Sequence, residues 1–267
     1  MARVRQDSMT GSIAFDRAAE YHDQTRGLSE EGVRSTTQAL VGAFSGAGPI
    51  LEVGVGTGQV AMPLRAAGVG VVGLDLSRPM LATLLAKAGG ESPLPLVEGD
   101  ATRMPFPDDA FAGAYLRWVL HLIADWRAAV REIARVTVPG SLFLAALGSY
   151  GGVRSEIQAR FADITGVSLE PIGLMWDGWG ELDREIAALG GGKLDAATFL
   201  DRDRDDLETF VQGIEQNRYS WTWAVSDDAA RAGAAAEARS WAEARWGPLD
   251  QVPPATFEWR FAVYRLA

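Results

Sequence analysis

Residues 50–59 read Ile-Leu-Glu-Val-Gly-Val-Gly-Thr-Gly-Gln, and this stretch decides the fold. Leu51 and Val53 predict the end of a buried strand. The glycines that follow let the backbone turn tightly and approach a ligand without an intervening Cβ. Val60 and Leu64 then predict a helix whose first amides face that ligand. The stretch therefore predicts a strand, a ligand-binding turn and a helix.

The spacing of the glycines narrows the kind of ligand. A dinucleotide-binding turn has the pattern Gly-x-Gly-x-x-Gly, which after Gly54 and Gly56 would place a third glycine at residue 59. Residue 59 is glutamine, and the third glycine is Gly58. A nucleotide-dependent oxidoreductase is therefore disfavoured, and we keep it only as an alternative.

Two further apolar runs end in acidic residues. Residues 69–75 predict a second buried strand that ends at Asp75, and Ser77 is expected to cap the following helix. A carboxylate at that strand end can accept both hydroxyls of a ribose that lies over the glycine turn. Residues 94–101 predict a third strand with Asp100 just past its end. Hydrogen-bond acceptors thus follow two strands beside the turn.

The next apolar run, residues 111–121, predicts a fourth strand that continues into a loop ending at His121. Asp125 is expected to cap the helix after this loop. Ser141 to Leu147 then predict a fifth strand, which a Pro-Gly pair precedes. Strands and helices alternate up to this point, which is typical of an α/β fold with a parallel sheet.

Glu52, with glycines at positions 54, 56 and 58 after it, resembles motif I of the class I S-adenosylmethionine (SAM) dependent methyltransferases. Asp75 and Asp100 follow in the order of that family. The resemblance covers roughly Phe15 to Leu147 and is nearest to the small-molecule methyltransferases of quinone and secondary-metabolite pathways. It implies a doubly wound, mostly parallel, Rossmann-like α/β sheet of seven strands with a helical cap insertion.

The resemblance also implies the cofactor, SAM, which would leave as S-adenosylhomocysteine (SAH). Asp75 would hold the ribose hydroxyls, Asp100 would accept from the adenine amino group, and the backbone at Ala101 would meet the ring. The predicted cofactor-binding residues are Tyr21, Arg26, Glu52, Gly54, Gly56, Gly58, Asp75, Leu76, Met80, Asp100, Ala101 and Arg117.

Tyr21 and Arg26 come from the likeness of residues 15–27 to a segment that closes over the cofactor in related methyltransferases. There an aromatic residue lies against SAM, and a basic residue can meet the methionine carboxylate. An aromatic residue packed on the domain and an arginine in solvent are the open alternative. Arg117 stands where the family more often has a small or polar residue, so the methionine end of the site is less defined than the adenosine end.

Methyl transfer from a sulfonium is an in-line displacement, so the enzyme must chiefly align the acceptor with the methyl group in a dry site. A base is needed only for a hydroxyl, a protonated amine or a carbon acid. His121 is the catalytic candidate because it stands just past the fourth strand. A histidine that only orients this loop is an equally open interpretation, and His22 is the weaker candidate for a base.

The overall composition restricts the partners. The chain has 267 residues, a formal net charge of −10, two histidines and no cysteine. The negative charge opposes nucleic acid as a substrate, because duplex binding depends on phosphate neutralisation by Lys and Arg. Without cysteine or paired histidine spacing, we predict no metal site. The absence of cysteine, the polar start of the chain and its short apolar runs favour a cytoplasmic protein without a membrane span. The resemblance implies a small-molecule acceptor, and the sequence leaves both a monomer and a homodimer open.

We predict three regions along the chain. Residues 1–147 would form the N-terminal helices and the SAM-binding core. Residues 148–225 would form a helical cap that binds the acceptor and contains a short sixth strand at Ala197 to Leu200. Residues 226–267 would add a last helix, capped by Ser226, and an antiparallel seventh strand that completes the core.

Several tryptophans fall in or near the predicted cap, and packing is their ordinary role. Indole rings in a cap would favour a small, partly apolar acceptor over a sugar. A non-catalytic SAM-binding protein with a blocked acceptor pocket is a further alternative. The tryptophans concerned are Trp118, Trp176, Trp179, Trp221 and Trp223.

Overall fold

The computed structural model describes residues 11–147, 152–202, 206–254 and 256–267. Within them, seven strands form one sheet in the order β3-β2-β1-β4-β5-β7-β6, in which β7 is antiparallel to both neighbours and the other pairs are parallel. The predicted doubly wound, mostly parallel sheet is confirmed. The strands are β1 (Ile50–Val53), β2 (Val71–Asp75), β3 (Leu96–Glu98), β4 (Phe111–Arg117), β5 (Thr137–Ala146), β6 (Gly192–Arg202) and β7 (Thr256–Arg265).

Helices connect most of the strands. The side chains of Ser77 and Asp125 each accept a backbone N–H of the helix that follows, so these two predicted caps are confirmed. Ser29 caps α2 in the same way. In the ranges given above, no helix combines the length and the apolar character that crossing a bilayer requires. The helices are α1 (His22–Arg26), α2 (Glu30–Phe44), α3 (Ala61–Ala66), α4 (Arg78–Lys87), α5 (Trp126–Val136), α6 (Val153–Thr165), α7 (Trp179–Ala188), α8 (Leu207–Glu215) and α9 (Asp228–Trp246).

The apolar core has a layer on each face of the sheet. On one face, Val130 and Ile133 of α5 pack against strand residues such as Leu116. On the other face, Leu40 of α2 packs in a layer with Tyr115. The strand order reverses between β1 and β4, so their carboxyl ends form the crevice in which ligands bind to sheets of this kind. Asp75 and Asp100, the predicted hydrogen-bond acceptors, lie at this carboxyl edge of the sheet.

The helices that follow β5 divide between two places. Leu182 and Ile186 of α7 lie in the same apolar layer as α5, directly on the sheet. α6, α8 and α9 instead pack on one another around Phe161, Val211 and Ala238. The predicted boundary at residue 226 therefore differs from the packing, because α9 joins α6 and α8 and only β7 completes the sheet.

Two local predictions need correction. The sixth strand is longer than Ala197 to Leu200, because β6 pairs with β7 over Gly192 to Arg202. This pairing extends β6 beyond the short stretch that its own residue pattern marks. The N-cap of α9 is Asp227 and not Ser226, since the Asp227 carboxylate accepts from the backbone N–H groups of the first helical turn.

The N-terminal segment, residues 11–26, folds back onto the carboxyl edge of the sheet. It contains a 3₁₀ turn at Asp16–Ala18 and the short helix α1. Phe15 of this segment packs in one apolar cluster with Met80 of α4 and Trp223. Trp223 comes from a 3₁₀ turn at Ser220–Ala224, so the cluster joins the N-terminal segment to the region between α8 and α9.

Candidate functional site

The turn between β1 and α3 is built from glycines with left-handed backbones. A Cβ at Gly54 would lie 2.4 Å from Cγ2 of Val119, and one at Gly58 would lie 2.8 Å from Cδ1 of Leu84. These two glycines therefore make room for neighbouring side chains of the protein. The φ angles are 73° at Gly54, 54° at Gly56 and 77° at Gly58.

Gly56 differs from the other two glycines of the turn. A Cβ at this position would have Cε of Met80 as its nearest neighbour, at an ordinary contact distance of 3.7 Å. Packing within the protein therefore does not require a glycine here. The turn is open at Gly56, which is the property expected where the backbone approaches a ligand.

Asp75 ends β2 beside this opening. Its Oδ2 accepts from the backbone N–H of Gly56 at 2.7 Å, and its Oδ1 accepts from the backbone N–H of Ser77 at 2.8 Å. Burial raises the pKa of Asp75 to about 6 and the charge of Asp16 adds to the effect, whereas the amide hydrogen bonds oppose it. Each carboxylate oxygen has a further lone pair, so Asp75 can accept additional hydrogen bonds from a ligand. Because of its raised pKa, its charge changes near neutral pH.

Glu52 lies beneath the turn and is only 4% exposed. The Tyr115 hydroxyl donates to its Oε2 at 2.7 Å. Burial raises the pKa of Glu52 to about 8, although the hydrogen bond from Tyr115 and the positive charge of Arg117 act in the opposite direction. The neutral form of Glu52 is therefore favoured near pH 7 in the free protein.

The raised pKa of Glu52 predicts that stability falls with rising pH. Between about pH 4.5 and 8 the unfolded chain releases the proton of Glu52 and the folded chain keeps it, so unfolding becomes easier as the pH increases. Glu52→Gln keeps a neutral polar side chain of similar shape and removes this titration. We expect urea midpoints to fall less between pH 6.5 and 8 in Glu52→Gln than in the wild type.

The control for this comparison is Glu91→Gln, because Glu91 is exposed. The midpoint of this variant should follow that of the wild type at both pH values. Parallel pH dependences of Glu52→Gln and the wild type would contradict the burial of a neutral carboxyl beneath the turn.

The third strand end brings Asp100 to the same edge. β1, β2 and β3 are parallel neighbours, and their carboxyl ends therefore lie side by side. Oδ1 of Asp100 accepts from both the backbone N–H and the hydroxyl of Thr102, each at 2.7 Å. Ala101 and Leu76 are half-buried at the same edge. The structure thus brings together the residues predicted for ribose and adenine.

The N-terminal segment is tied to this edge by two carboxylates that the sequence analysis did not select. The first is Asp16, whose Oδ1 accepts from Oγ of Ser77 at 2.8 Å. Ser77 also caps α4, so one hydroxyl connects the N-terminal segment to the start of this helix, two residues after Asp75. The two partners are 61 positions apart, and no local pattern marks such a contact.

The second carboxylate is Asp23 of α1. It accepts from the Thr57 hydroxyl, from Nε2 of Gln59 at 2.7 Å and from Nζ of Lys87 at 2.6 Å. Nδ1 of His22 lies 3.5 Å from the same carboxylate. Burial acts to raise the pKa of Asp23, but these hydrogen bonds hold it well below its usual range. An ionised carboxylate therefore fastens α1 to the glycine turn, and His22 belongs to this contact.

Tyr21 lies at the edge of the apolar cluster over the turn. It packs with Phe15, Met80 and Trp223, and the Phe15 and Trp223 ring centroids are 5.6 Å apart. Met80 is the residue that lies nearest to the open side of Gly56. The cluster therefore lies beside the turn, and Tyr21 and Met80 are part of it. The side chain of Arg26 lies outside the described part of the chain.

His121 lies in a 3₁₀ turn at Leu120–Leu122, just after β4. Its ring centroid is 4.0 Å from that of Trp176, at an interplanar angle of 43°. The backbone N–H of Gly173 donates to the carbonyl oxygen of His121 at 3.1 Å. A Cβ at Gly173 would lie 2.1 Å from the Leu120 carbonyl oxygen, so the loop that carries Trp176 fits tightly against this turn.

The other tryptophans of the predicted cap have different surroundings. Trp221 stacks on Tyr219 at 5.5 Å within the cluster of α6, α8 and α9. Trp179 packs against the layer of α5 and α7 on the sheet. Trp176 and Trp223 are therefore the two that contact residues at the carboxyl edge.

Arg117 and Trp118 follow each other at the end of β4. Nη2 of Arg117 donates to Oε1 of Gln59 at 3.3 Å, and its Cζ lies 4.2 Å from the centroid of the Trp118 ring. Trp118 has a φ of 58°, which is rare for a bulky residue. Its indole N–H is buried and has no hydrogen-bond partner among the described residues. Strain of this kind concentrates at functional sites.

Comparisons with known proteins agree with this geometry. Residues 51–145 match the family described as "Methyltransferase domain". A demethylmenaquinone methyltransferase of Mycolicibacterium paratuberculosis is 34% identical over 145 residues, which are 52% of this chain and 61% of that protein. The chain thus spans less than two thirds of the length of this curated relative.

Solved structures resemble the chain over most of its length. A putative methyltransferase from Bacillus halodurans has a TM-score of 0.58 and 18% identity, and the match covers 87% of this chain and 97% of that one. The cyclase SpnF has a TM-score of 0.57 and 20% identity, with 91% of this chain and 84% of that one covered. At these identities the likeness establishes the fold.

The strand order, the antiparallel β7 and the glycine turn define the class of the fold, which is that of the class I methyltransferases. Residues 51–145 are similar to a methyltransferase domain. The curated relatives add a likeness to small-molecule methyltransferases over about half of this chain.

Proposed function

We propose that the protein binds SAM and transfers its methyl group to a small, partly apolar molecule. The observation that carries this proposal is the opening at Gly56, where a Cβ would meet only Met80, directly beside the carboxylate of Asp75. An open backbone next to a strand-end carboxylate fits a ribose, and Asp100 on the adjacent strand end fits the adenine. The residues present therefore suit the adenosine part of SAM.

Calorimetry with SAM, SAH and NADH tests this proposal. We expect SAM and SAH to bind and NADH not to bind, because the turn lacks the third glycine of a dinucleotide site. Binding of NADH alone, or no binding of SAH by the folded chain, would exclude the proposed cofactor.

Once bound, SAM supplies a methyl group on a sulfonium sulfur, which a nucleophile can displace. The residues of this chain would hold the cofactor in three places. Asp75, Leu76 and Gly56 would bind the ribose side, and Asp100 and Ala101 the adenine. Glu52, Gly54, Gly58 and Arg117 would surround the methionine side, with Tyr21, Met80 and Arg26 covering the cofactor from the N-terminal segment and α4. Alignment and the exclusion of water would then provide the rate increase.

The acceptor would enter beside His121 and Trp176. His121 lies just past β4, and the loop of Trp176, between α6 and α7, is held against it by the hydrogen bond from the Gly173 N–H to the His121 carbonyl oxygen. The indole offers an apolar wall for an aromatic or quinone-like acceptor, and the imidazole can take a proton from a hydroxyl or a carbon acid. The match to a demethylmenaquinone methyltransferase supports this acceptor class.

Trp176→Ala should weaken acceptor binding by about tenfold and leave SAH binding within about twofold of the wild type. The indole is proposed to contact the acceptor beside His121, and Trp176 is not among the residues proposed to hold SAM. The melting temperature of the wild type is measured with a panel of metabolites at saturating SAH, and the metabolites that raise it are the candidate acceptors. The shifts that these acceptors cause in Trp176→Ala are then compared with those in the wild type.

The control for this experiment is Trp246→Ala, since Trp246 packs against Trp241 at the far end of α9. It should bind the same acceptors as the wild type. A loss of SAH affinity in Trp176→Ala with unchanged acceptor binding would show that Trp176 serves the cofactor.

His121→Gln gives a separate test of the catalytic role of His121. Loss of turnover with a shifted pH profile indicates a base, and an unaltered profile leaves a positioning role.

A second candidate function is SAM binding without methyl transfer. The observation that favours it is the likeness to SpnF, which is described as a cyclase although it shares this fold. Conversion of SAM to SAH in the presence of an identified acceptor decides between the two functions. Acceptor-dependent SAH formation supports methyl transfer, and ligand conversion without SAH formation supports the alternative.

A further inference from the structure

Gln59 occupies the position where a dinucleotide fingerprint has glycine, and its side chain connects three parts of the site. Its Nε2 donates to Oδ1 of Asp23 in the N-terminal segment at 2.7 Å. Its Oε1 accepts from the backbone N–H of Leu28 and from Nη2 of Arg117, each at 3.3 Å. The amide is half-buried and joins α1, the start of α2 and the end of β4 at the glycine turn.

The chemistry of the neighbours determines the orientation of this amide. An ionised Asp23 can only accept, whereas the Leu28 N–H and the Arg117 guanidinium can only donate. The reversed amide would place an oxygen against the carboxylate and an NH₂ group against two donors. The contact with Asp23 therefore turns the carbonyl oxygen of Gln59 towards Arg117.

The strand order indicates which part of the cofactor Arg117 faces. In the proposed function, adenine lies at the end of β3 and ribose at the end of β2, with the glycine turn at the end of β1. The order β3-β2-β1-β4 continues this line, so the amino-acid part of the cofactor extends towards β4. Arg117 is the last residue of β4, and a methionine carboxylate requires a cation there.

We propose that Gln59 is a positioning residue that holds Arg117 towards the methionine part of the cofactor and makes this position depend on the docking of Asp23. This inference rests on the proposed function. It means that the methionine side of the site is complete only when the N-terminal segment lies against the glycine turn. The half-buried contact of the Arg117 guanidinium with the Trp118 ring would then maintain the same orientation from the other side.

The test compares two ligands by calorimetry. SAH contains the amino-acid part, whereas 5′-methylthioadenosine contains adenine and ribose without it. Gln59→Leu has a side chain of similar volume and no hydrogen bonds, so SAH binding should weaken by about tenfold and binding of 5′-methylthioadenosine by less than about twofold. Gln212→Leu is the matched control, because it removes a similar hydrogen bond from an amide to a carboxylate, that of Gln212 to Glu208 on the exposed side of α8, and it should bind both ligands like the wild type.

A double-mutant cycle shows whether Gln59 acts through Arg117. In an Arg117→Met background, Gln59→Leu should have no further effect on SAH affinity, whereas independent roles would give additive losses. If Gln59→Leu does not fold, Asp23→Asn replaces it. This variant should also weaken SAH binding more than binding of 5′-methylthioadenosine. Additive losses, or equal weakening of both ligands, would overturn the inference. A wild-type protein that binds neither ligand would instead refute the proposed cofactor.

Discussion

Gly56→Val should abolish SAM binding, with a loss of affinity of at least about a hundredfold, while the variant still unfolds cooperatively. The new side chain would enter the open side of the turn, where only Met80 lies within 4 Å. It would occupy the space in which SAM is proposed to contact the backbone of Gly56. A φ of 54° also strains a β-branched residue, and this adds a cost in stability of order 1–3 kcal/mol. Calorimetry with SAH and a thermal melt measure the two effects separately.

Gly68→Val is the matched control for this variant. Gly68 also has a positive φ, at 91°, and a Cβ there would have no neighbour within 4 Å. The control therefore carries the same kind of backbone strain away from the proposed ligand, and it should lose stability but bind SAH normally. If Gly56→Val also binds SAH normally, the turn only connects β1 to α3.

Asp75→Ala should weaken SAM binding by about ten- to a hundredfold, because hydrogen bonds to a charged group contribute roughly 1.5–3 kcal/mol. The substitution removes the proposed acceptor of the ribose hydroxyls, and it also releases the backbone N–H of Gly56. Glu98→Ala is the control, since Glu98 lies opposite Asp75 in the sheet register and is exposed. An unchanged SAH dissociation constant in folded Asp75→Ala would contradict the ribose assignment.

The raised pKa of Asp75 adds a pH dependence to this prediction. Ribose hydroxyls donate to the charged carboxylate, so binding below about pH 6 must first release its proton. SAH affinity should therefore fall by up to about tenfold for each pH unit below 6 and stay constant above about pH 7. Asp75→Asn should bind weakly at every pH, without this slope. A wild-type affinity that is constant between pH 5 and 8 would contradict the assignment.

Local residue patterns predicted most of the sheet. The first five strands are recognisable because each is a short apolar run with glycine, acid or loop residues after it, and Ser77 and Asp125 mark helix starts in the same local way. β6 could be predicted only in part, because its length depends on pairing with β7. The grouping of α9 with α6 and α8 could not be predicted, since similar alanine-rich faces pack on many surfaces.

Most of the predicted cofactor residues lie at or just after a strand end, and a strand end is a local feature. Gly56, Asp75 and Asp100 therefore came from the sequence. Asp16, Asp23 and the role of Gln59 came only from the structure. Asp23 is 34 residues from Thr57 and 64 from Lys87, and its own surroundings in the sequence resemble any short polar helix.

The amino-acid pattern alone thus established the α/β class, the glycine turn and the acids beside it, because strand periodicity and glycine conformation act over a few neighbouring residues. Tertiary structure decided which glycine of the turn is open, which tryptophans reach the carboxyl edge, and how the N-terminal segment is fastened. These features depend on contacts between residues far apart in the chain. The chain forms such contacts only when the sheet has brought its strand ends together and the helices have packed around them.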